Sequence, residues 1–364
     1  MRTGFSTFAA MMKKLLLSLP LFALACSAPD KVKTENVVNV YTHRHYETDK
    51  ALFALFEKET GIKVNIVMAD DDELLSRLDA EGANSPADVI ITADAGRLGL
   101  AKQRGFLKPI HDSTLEANVP GHLRDPEGNW FGFTMRARVV AYDKNRVKPE
   151  ELLTYADLCS PRFKGQILVR PSEHVYNQSL VAAMIAHFGN DSATAWCKGI
   201  VTNMARDPKG SDTDQLLAIG EGLGSVAIVN SYYIGKLMKS EDPARQKAKN
   251  TIAVAYPFLH IGLTDVEGRP ADPSIGSHVN ISGGGVAAHA IHTANAIALL
   301  RFLSSDASQA AFADGNMEYP VKPGIPAAAV LQGFGKLVPD TLDLSVLGKY
   351  NAGAVKVLDA AGWR

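Results

Sequence analysis

The stretch Ser225-Val226-Ala227-Ile228-Val229-Asn230-Ser231-Tyr232-Tyr233-Ile234-Gly235 joins a continuous apolar run to the start of a helix. An apolar run without alternation is what a strand covered on both faces requires. Ser231 is a good N-cap, because a hydroxyl accepts from the N–H groups that a first helical turn leaves unpaired. Tyr232 and Tyr233 then fall in that first turn, where both phenols can face one crevice. Open α/β sheets bind their ligands in that crevice, beyond the carboxyl ends of the strands.

Two other junctions repeat the arrangement. Val37 to Tyr41 reads as a strand, followed by Thr42-His43-Arg44-His45-Tyr46-Glu47, with Thr48 as the expected cap of a helix over 49–59. Gln166 to Arg170 reads as a strand broken by Pro171-Ser172, with Tyr176 just ahead of a helix over 177–188. Four of the ten tyrosines, Tyr46, Tyr176, Tyr232 and Tyr233, therefore stand at strand-to-helix corners. One tyrosine at such a place is ordinary filler at a core edge. It is the recurrence that points to a site.

The chain has 364 residues, 46% hydrophobic and 21% charged, and that length suits two domains. A formal net charge of −1 offers no electrostatic footprint for nucleic acid. Lys13-Lys14, an apolar run from Leu15 to Ala25 and the small-residue pattern Ala23-Leu24-Ala25 read as a signal peptide over 1–25. The run is too short to span a bilayer permanently. Cys26 follows directly and is the candidate for lipid attachment, with 26–36 as a polar tether; plain cleavage after Ala25 is the alternative. The mature protein is expected to be exported, monomeric and membrane-associated through Cys26 alone.

Strands alternate with helices onward from Val37, which predicts a mostly parallel sheet with right-handed crossovers. Phe131 to Tyr142 has strand character, carries Arg136 and Arg138 at period-two spacing, and reads as a crossing between lobes. His278-Val279-Asn280-Ile281-Ser282, running into Gly283-Gly284-Gly285, reads as the return crossing, its glycines permitting close backbone packing. The first lobe is expected over 37–134 plus about 262–310, and the second over 135–261 plus about 311–364. Two crossings make a hinged cleft, with Tyr46 on one wall and Tyr176, Tyr232 and Tyr233 on the other.

A phenolate oxygen is a hard anionic donor, and imidazole also suits iron. A free tyrosine has a pKa of about 10, so a phenolate cluster needs a strong positive charge beside it. A trivalent cation supplies that charge and displaces the phenol protons. Four phenolates around Fe3+ carry one net negative charge, which a neutral His45 leaves unchanged. Arg136 is the candidate to offset it.

With these residues the chain resembles the periplasmic ferric-iron-binding proteins, the substrate-binding components of bacterial iron ABC transporters. The likeness is carried by Arg44-His45-Tyr46-Glu47-Thr48-Asp49, Tyr176-Asn177-Gln178-Ser179-Leu180, Asn230-Ser231-Tyr232-Tyr233 and His278-Val279-Asn280-Ile281-Ser282-Gly283. It implies an α/β, two-lobed, type II periplasmic-binding-protein fold that carries ferric iron, as transported ligand, to an ABC permease. In the tyrosine-rich branch the positions matching Tyr46, Tyr176, Tyr232 and Tyr233 ligate iron, often joined by the one matching His45.

Other readings compete. His43-x-His45 and His289-x-x-His292 could be halves of a zinc site, without cysteine or carboxylate spacing to support them, and His43 reads as solvated. A polyamine or an oxyanion is an alternative ligand for the same fold. An exported hydrolase is the alternative of another class, but the chain carries no Gly-x-Ser-x-Gly elbow, phosphate loop or His-Glu-x-x-His motif. Setting Cys26 aside leaves Cys159 and Cys197, an even pair that an oxidising compartment invites to bond.

Overall fold

A computed structural model describes residues 36–259 and 275–364. The signal peptide, the tether up to Glu35 and Cys26 lie outside the described residues. Nine strands are described: β1 Val37–Thr42, β2 Lys63–Met68, β3 Val89–Thr92, β4 Phe131–Asp143, β5 Ile167–Leu168, β6 Val226–Asn230, β7 Ile252–Ala255, β8 Val279–Val286 and β9 Tyr319–Pro320. They are hydrogen-bonded in the order β2-β1-β3-β8-β4-β6-β5, with β7 and β9 each pairing β4.

The sheet is mixed rather than mostly parallel. Pairings of β1 with β2 and β3, and of β5 with β6, are parallel; the other five, all involving β8 or β4, are antiparallel. The alternation of strand and helix predicts only the local crossover units, whereas β8 and β4 lie in the sheet between those units and run antiparallel to their neighbours. All thirteen residues of β4 are buried. Its first half pairs β8, from Phe131 opposite Gly284 to Ala137 opposite Val279, and its second half pairs β6, from Arg138 opposite Asn230 to Tyr142 opposite Val226. The changeover falls between Arg136 and Arg138.

β8 runs straight through Gly283-Gly284-Gly285. A Cβ on Gly285 would collide with the carbonyl oxygen of Asn129, one on Gly283 with that of Phe131, and one on Gly284 would lie 2.7 Å from that of Ile90. The backbones approach that closely because no side chain intervenes.

The helices start where polar caps meet the strand ends, though not always at the expected residue. The helix Glu47–Thr60 is capped at Tyr46 rather than Thr48, and Ser231–Lys239 starts one residue early, with Asn230 at the cap. Ser231 Oγ instead accepts from the Ala137 N–H of β4 at 3.2 Å, tying the helix start to the crossing strand. The helix Val175–Asn203 is capped by the His174 side chain, so Tyr176 lies in its first turn, and it breaks at Gly189 with φ 77°. The C-terminal helix Val346–Ala361 packs on both the Val175–Asn203 and Ala95–Gln103 helices. Among the described residues no helix is long and apolar enough to cross a membrane.

Candidate functional site

Tyr46, Tyr176, Tyr232 and Tyr233 converge. The hydroxyls of Tyr176 and Tyr232 are 3.1 Å apart, the rings of Tyr232 and Tyr233 have centroids 4.2 Å apart, and each phenol lies within electrostatic reach of the others. They arrive from the ends of three strands: Tyr46 after β1, Tyr176 after β5 and the tandem pair after β6. Tyr232 is buried against Met317, Ala328 and Leu331, while Tyr46, Tyr176 and Tyr233 are half-buried.

Burial is the main cause that pushes the Tyr232 phenol well above its ordinary range, reinforced by Tyr176, Tyr46 and Tyr233. Burial likewise raises Tyr176, against the pull of Arg136. Tyr46 is raised by burial and by Glu318, against Arg44. Tyr46, Tyr176 and Tyr232 are therefore neutral phenols at neutral pH. A cation entering the cluster must displace protons.

Positive charge surrounds the rings. The guanidinium carbon of Arg44 lies 4.9 Å from the Tyr46 ring centre, and those of Arg136, Arg170 and Arg138 lie 5.1, 5.3 and 5.8 Å from that of Tyr176. Lys236 Nζ stands 4.4 Å from the Tyr46 ring centre and 5.2 Å from that of Tyr232, and burial lowers its pKa. Arg136 is thus adjacent to the cluster, as is the ring of His45, 5.6 Å from that of Tyr46. His45 is exposed, with Nδ1 3.3 Å from the His43 carbonyl oxygen.

Arg44 holds the Tyr46 corner. Its guanidinium is buried and donates to both carboxylate oxygens of Asp49, at 2.9 and 3.0 Å, and to Glu318 at 3.2 Å. Glu318 is 2% exposed and comes from a segment 274 residues further on. Glu318 carries no local sequence signal. Lys236 could have been noticed as one helical turn beyond Tyr232 and Tyr233, since residues three and four apart share a helix face.

Other sequence expectations come out differently. His43 is half-buried rather than solvated, and its Nδ1 accepts from the Ala93 N–H at 3.3 Å. His292 is engaged with Asp88 at 2.9 Å, and among the described residues no group of three or more His, Cys, Asp or Glu could hold a metal. That removes the support for zinc. Cys159 and Cys197 are free thiols, and the bond between them is not formed. Cys159 Sγ instead donates to the Trp196 carbonyl at 3.5 Å, and burial pushes the two thiols up to about 11 and 12.

The crossing strands and the convergent corner residues define a solute-binding protein of the type II periplasmic-binding-protein fold. The chain belongs to the bacterial extracellular solute-binding proteins, a family that matches residues 84–336. It is 45% identical over 327 residues to iron uptake protein A1 of Synechocystis, covering 90% of this chain and 87% of that one. It is 42% identical over 363 residues to iron uptake protein A2 of the same organism, covering 100% and 98%. Among solved structures, a Trichodesmium protein, IdiA or FutA, in complex with iron and citrate ligands superposes with a TM-score of 0.82. It is 45% identical, and the match covers 90% of this chain and 100% of that one.

Proposed function

We infer that this chain binds one ferric ion through the phenolates of Tyr46, Tyr176, Tyr232 and Tyr233, joined by His45, and delivers it to the permease of an ABC transporter. The carrying observation is the convergence of four phenols from three strand ends, with the Tyr176 and Tyr232 hydroxyls 3.1 Å apart. Hydroxyls that close become a donor set once a cation takes their protons. The iron-named relatives from Synechocystis and the iron-bound Trichodesmium structure support the same cargo.

The surrounding cations serve this role. Four phenolates and Fe3+ leave one negative charge, and Arg136, 5.1 Å from the Tyr176 ring centre, is positioned to offset it. Arg44 and Lys236 lower the cost of ionising Tyr46, because an opposite charge at a few ångströms favours the anion. The same cations repel a polyamine.

We assign the walls as lobes over 37–134 plus about 262–310 and 135–261 plus about 311–364, so that Tyr46 faces the other three phenols across the cleft. A ligand touching both walls favours the closed arrangement by its differential affinity. The protein acts as an exported monomeric carrier rather than an enzyme, with Cys26 as its point of lipid attachment.

Titration with ferric citrate followed by visible absorbance tests the reading. A phenolate-to-iron charge-transfer band that saturates at one equivalent is expected. No band and no protection against thermal unfolding would overturn it.

A further inference from the structure

Arg138 of β4 and Asp212, the first residue of the helix Asp212–Gly220, form an ion pair, Nη1 to Oδ2 at 2.8 Å, with side chains 2% and 0% exposed. Each partner also holds something else. Arg138 Nη2 donates to Asn177 Oδ1 at 2.9 Å, and its Nη1 donates to Asn230 Oδ1 at 3.3 Å. The same Asp212 oxygen accepts from the Asn230 backbone N–H at 2.8 Å, and the other oxygen faces Arg170 Nη1 at 3.7 Å. Asn177 passes the hold on, its Nδ2 donating to the carbonyl oxygens of Arg170 and Pro171, both at 3.0 Å, where the chain leaves β5.

The residues held are the neighbours of the phenols. Asn177 directly follows Tyr176, and Asn230 directly precedes Ser231-Tyr232-Tyr233. One ion pair thus references two corners whose tyrosines stand 56 residues apart in the chain and 3.1 Å apart at their hydroxyls.

Stability is a poor reason for such a pair. The desolvation of two buried charges roughly cancels their attraction, and apolar side chains of like volume are often as stable or more so. Apolar contacts do not fix direction, however. Hydrogen bonds from separate nitrogens of one planar guanidinium do, because each prefers its own line of approach. A metal site needs that, since its donors must be held within about 0.5 Å of the ligating geometry.

We propose that Arg138 and Asp212 are positioning residues for the metal site, acting through Asn177 and Asn230 to set the Tyr176 hydroxyl against those of Tyr232 and Tyr233. The assignment rests on the ferric reading above. Arg138 also brings charge, its guanidinium carbon 5.8 Å from the Tyr176 ring centre, and that by itself favours a phenolate there. The test must separate position from charge.

The double variant Arg138→Met/Asp212→Leu removes the pair without leaving a lone buried charge. Citrate competition should show iron binding weakened by about 10- to 100-fold, the usual loss for an outer partner of a metal ligand. The charge-transfer band of its ferric complex should lose intensity per bound iron. Tyr176→Phe should cost at least about threefold less affinity in this background than in the unaltered protein, because the two changes act on one donor. An unchanged band, or equal costs of Tyr176→Phe in both backgrounds, overturns the positioning. Arg138→Lys keeps the charge but not the planar fork, and serves equally if the double variant does not unfold cooperatively. Its affinity should fall within the same range, and unaltered affinity would assign Arg138 to charge alone and overturn the proposal. Iron-free crystals of Arg138→Lys give a measure without iron. The Tyr176–Tyr232 hydroxyl separation should move from 3.1 Å by about 0.5 Å or more, and an unmoved pair overturns the proposal. If the unaltered protein takes up no iron, the ferric reading fails, and that separation still decides whether the ion pair positions the phenols.

Discussion

Tyr232 is the most tightly held of the four phenols, buried against Met317, Ala328 and Leu331 and hydrogen-bonded to Tyr176. Tyr232→Phe and Tyr233→Phe keep the packing ring and remove only the donor oxygen. Loss of an outer partner of a metal ligand costs 10- to 100-fold in affinity, so loss of a ligand should cost at least about 100-fold. Citrate competition checks this, with Tyr350→Phe on the C-terminal helix expected to be silent. Arg44 makes a different prediction. Arg44→Met leaves the Asp49 and Glu318 carboxylates buried without their guanidinium, and breaking a buried pair in that way costs about 3–5 kcal/mol. Urea unfolding of the iron-free protein should show that loss, and a change within ±0.5 kcal/mol, about that of an ordinary surface substitution, would contradict it.

At the scale of elements, the glycine run of β8 is where backbone approach matters most. A Cβ on Gly285 would overlap the Asn129 carbonyl oxygen, so strand or loop must shift. Gly285→Ala should destabilise the fold by about 1–3 kcal/mol, the usual cost of overpacking. The same change at Gly82, where φ is 52° but a Cβ would meet nothing within 4 Å, separates backbone strain from collision. Thermal melts of the two variants make the comparison, and equal losses would deny the collision its role. β4 and β8 also explain why the site residues converge. Arg136 opposite Asn280 and Arg138 opposite Asn230 place two guanidiniums side by side where the strand changes partner.

For the whole molecule, acid should act twice. His278 is buried and its pKa is lowered to about 3, against about 6.5 in the unfolded chain. The unfolded state therefore binds a proton that the folded state refuses between those values. Stability is fully present above about pH 6.5 and declines as pH falls toward about 3. Chemical unfolding of the iron-free protein across that range should show the decline, and His278→Gln should flatten it. Iron affinity should fall with pH for a separate reason, since each ligating phenol must release its proton and protons compete directly with the metal. Affinity by citrate competition that stays level from about pH 8 to pH 5 would contradict a tyrosinate site.

The strand ends, the approximate helix starts and the placing of four tyrosines at corners were legible in the sequence, because apolar runs, caps and turn residues act within a few positions of themselves. Which strands pair, and in which direction, was not legible: β4 and β8 meet across more than a hundred residues, and nothing local records their antiparallel register. The same holds for Glu318 closing on Arg44 and for Lys236 reaching over Tyr46 from another element. Burial settled the rest. The sequence can name a phenol, an imidazole or a thiol, but only the packed interior raises Tyr46, Tyr176 and Tyr232 and lowers His278, because desolvation belongs to surroundings assembled from distant parts of the chain.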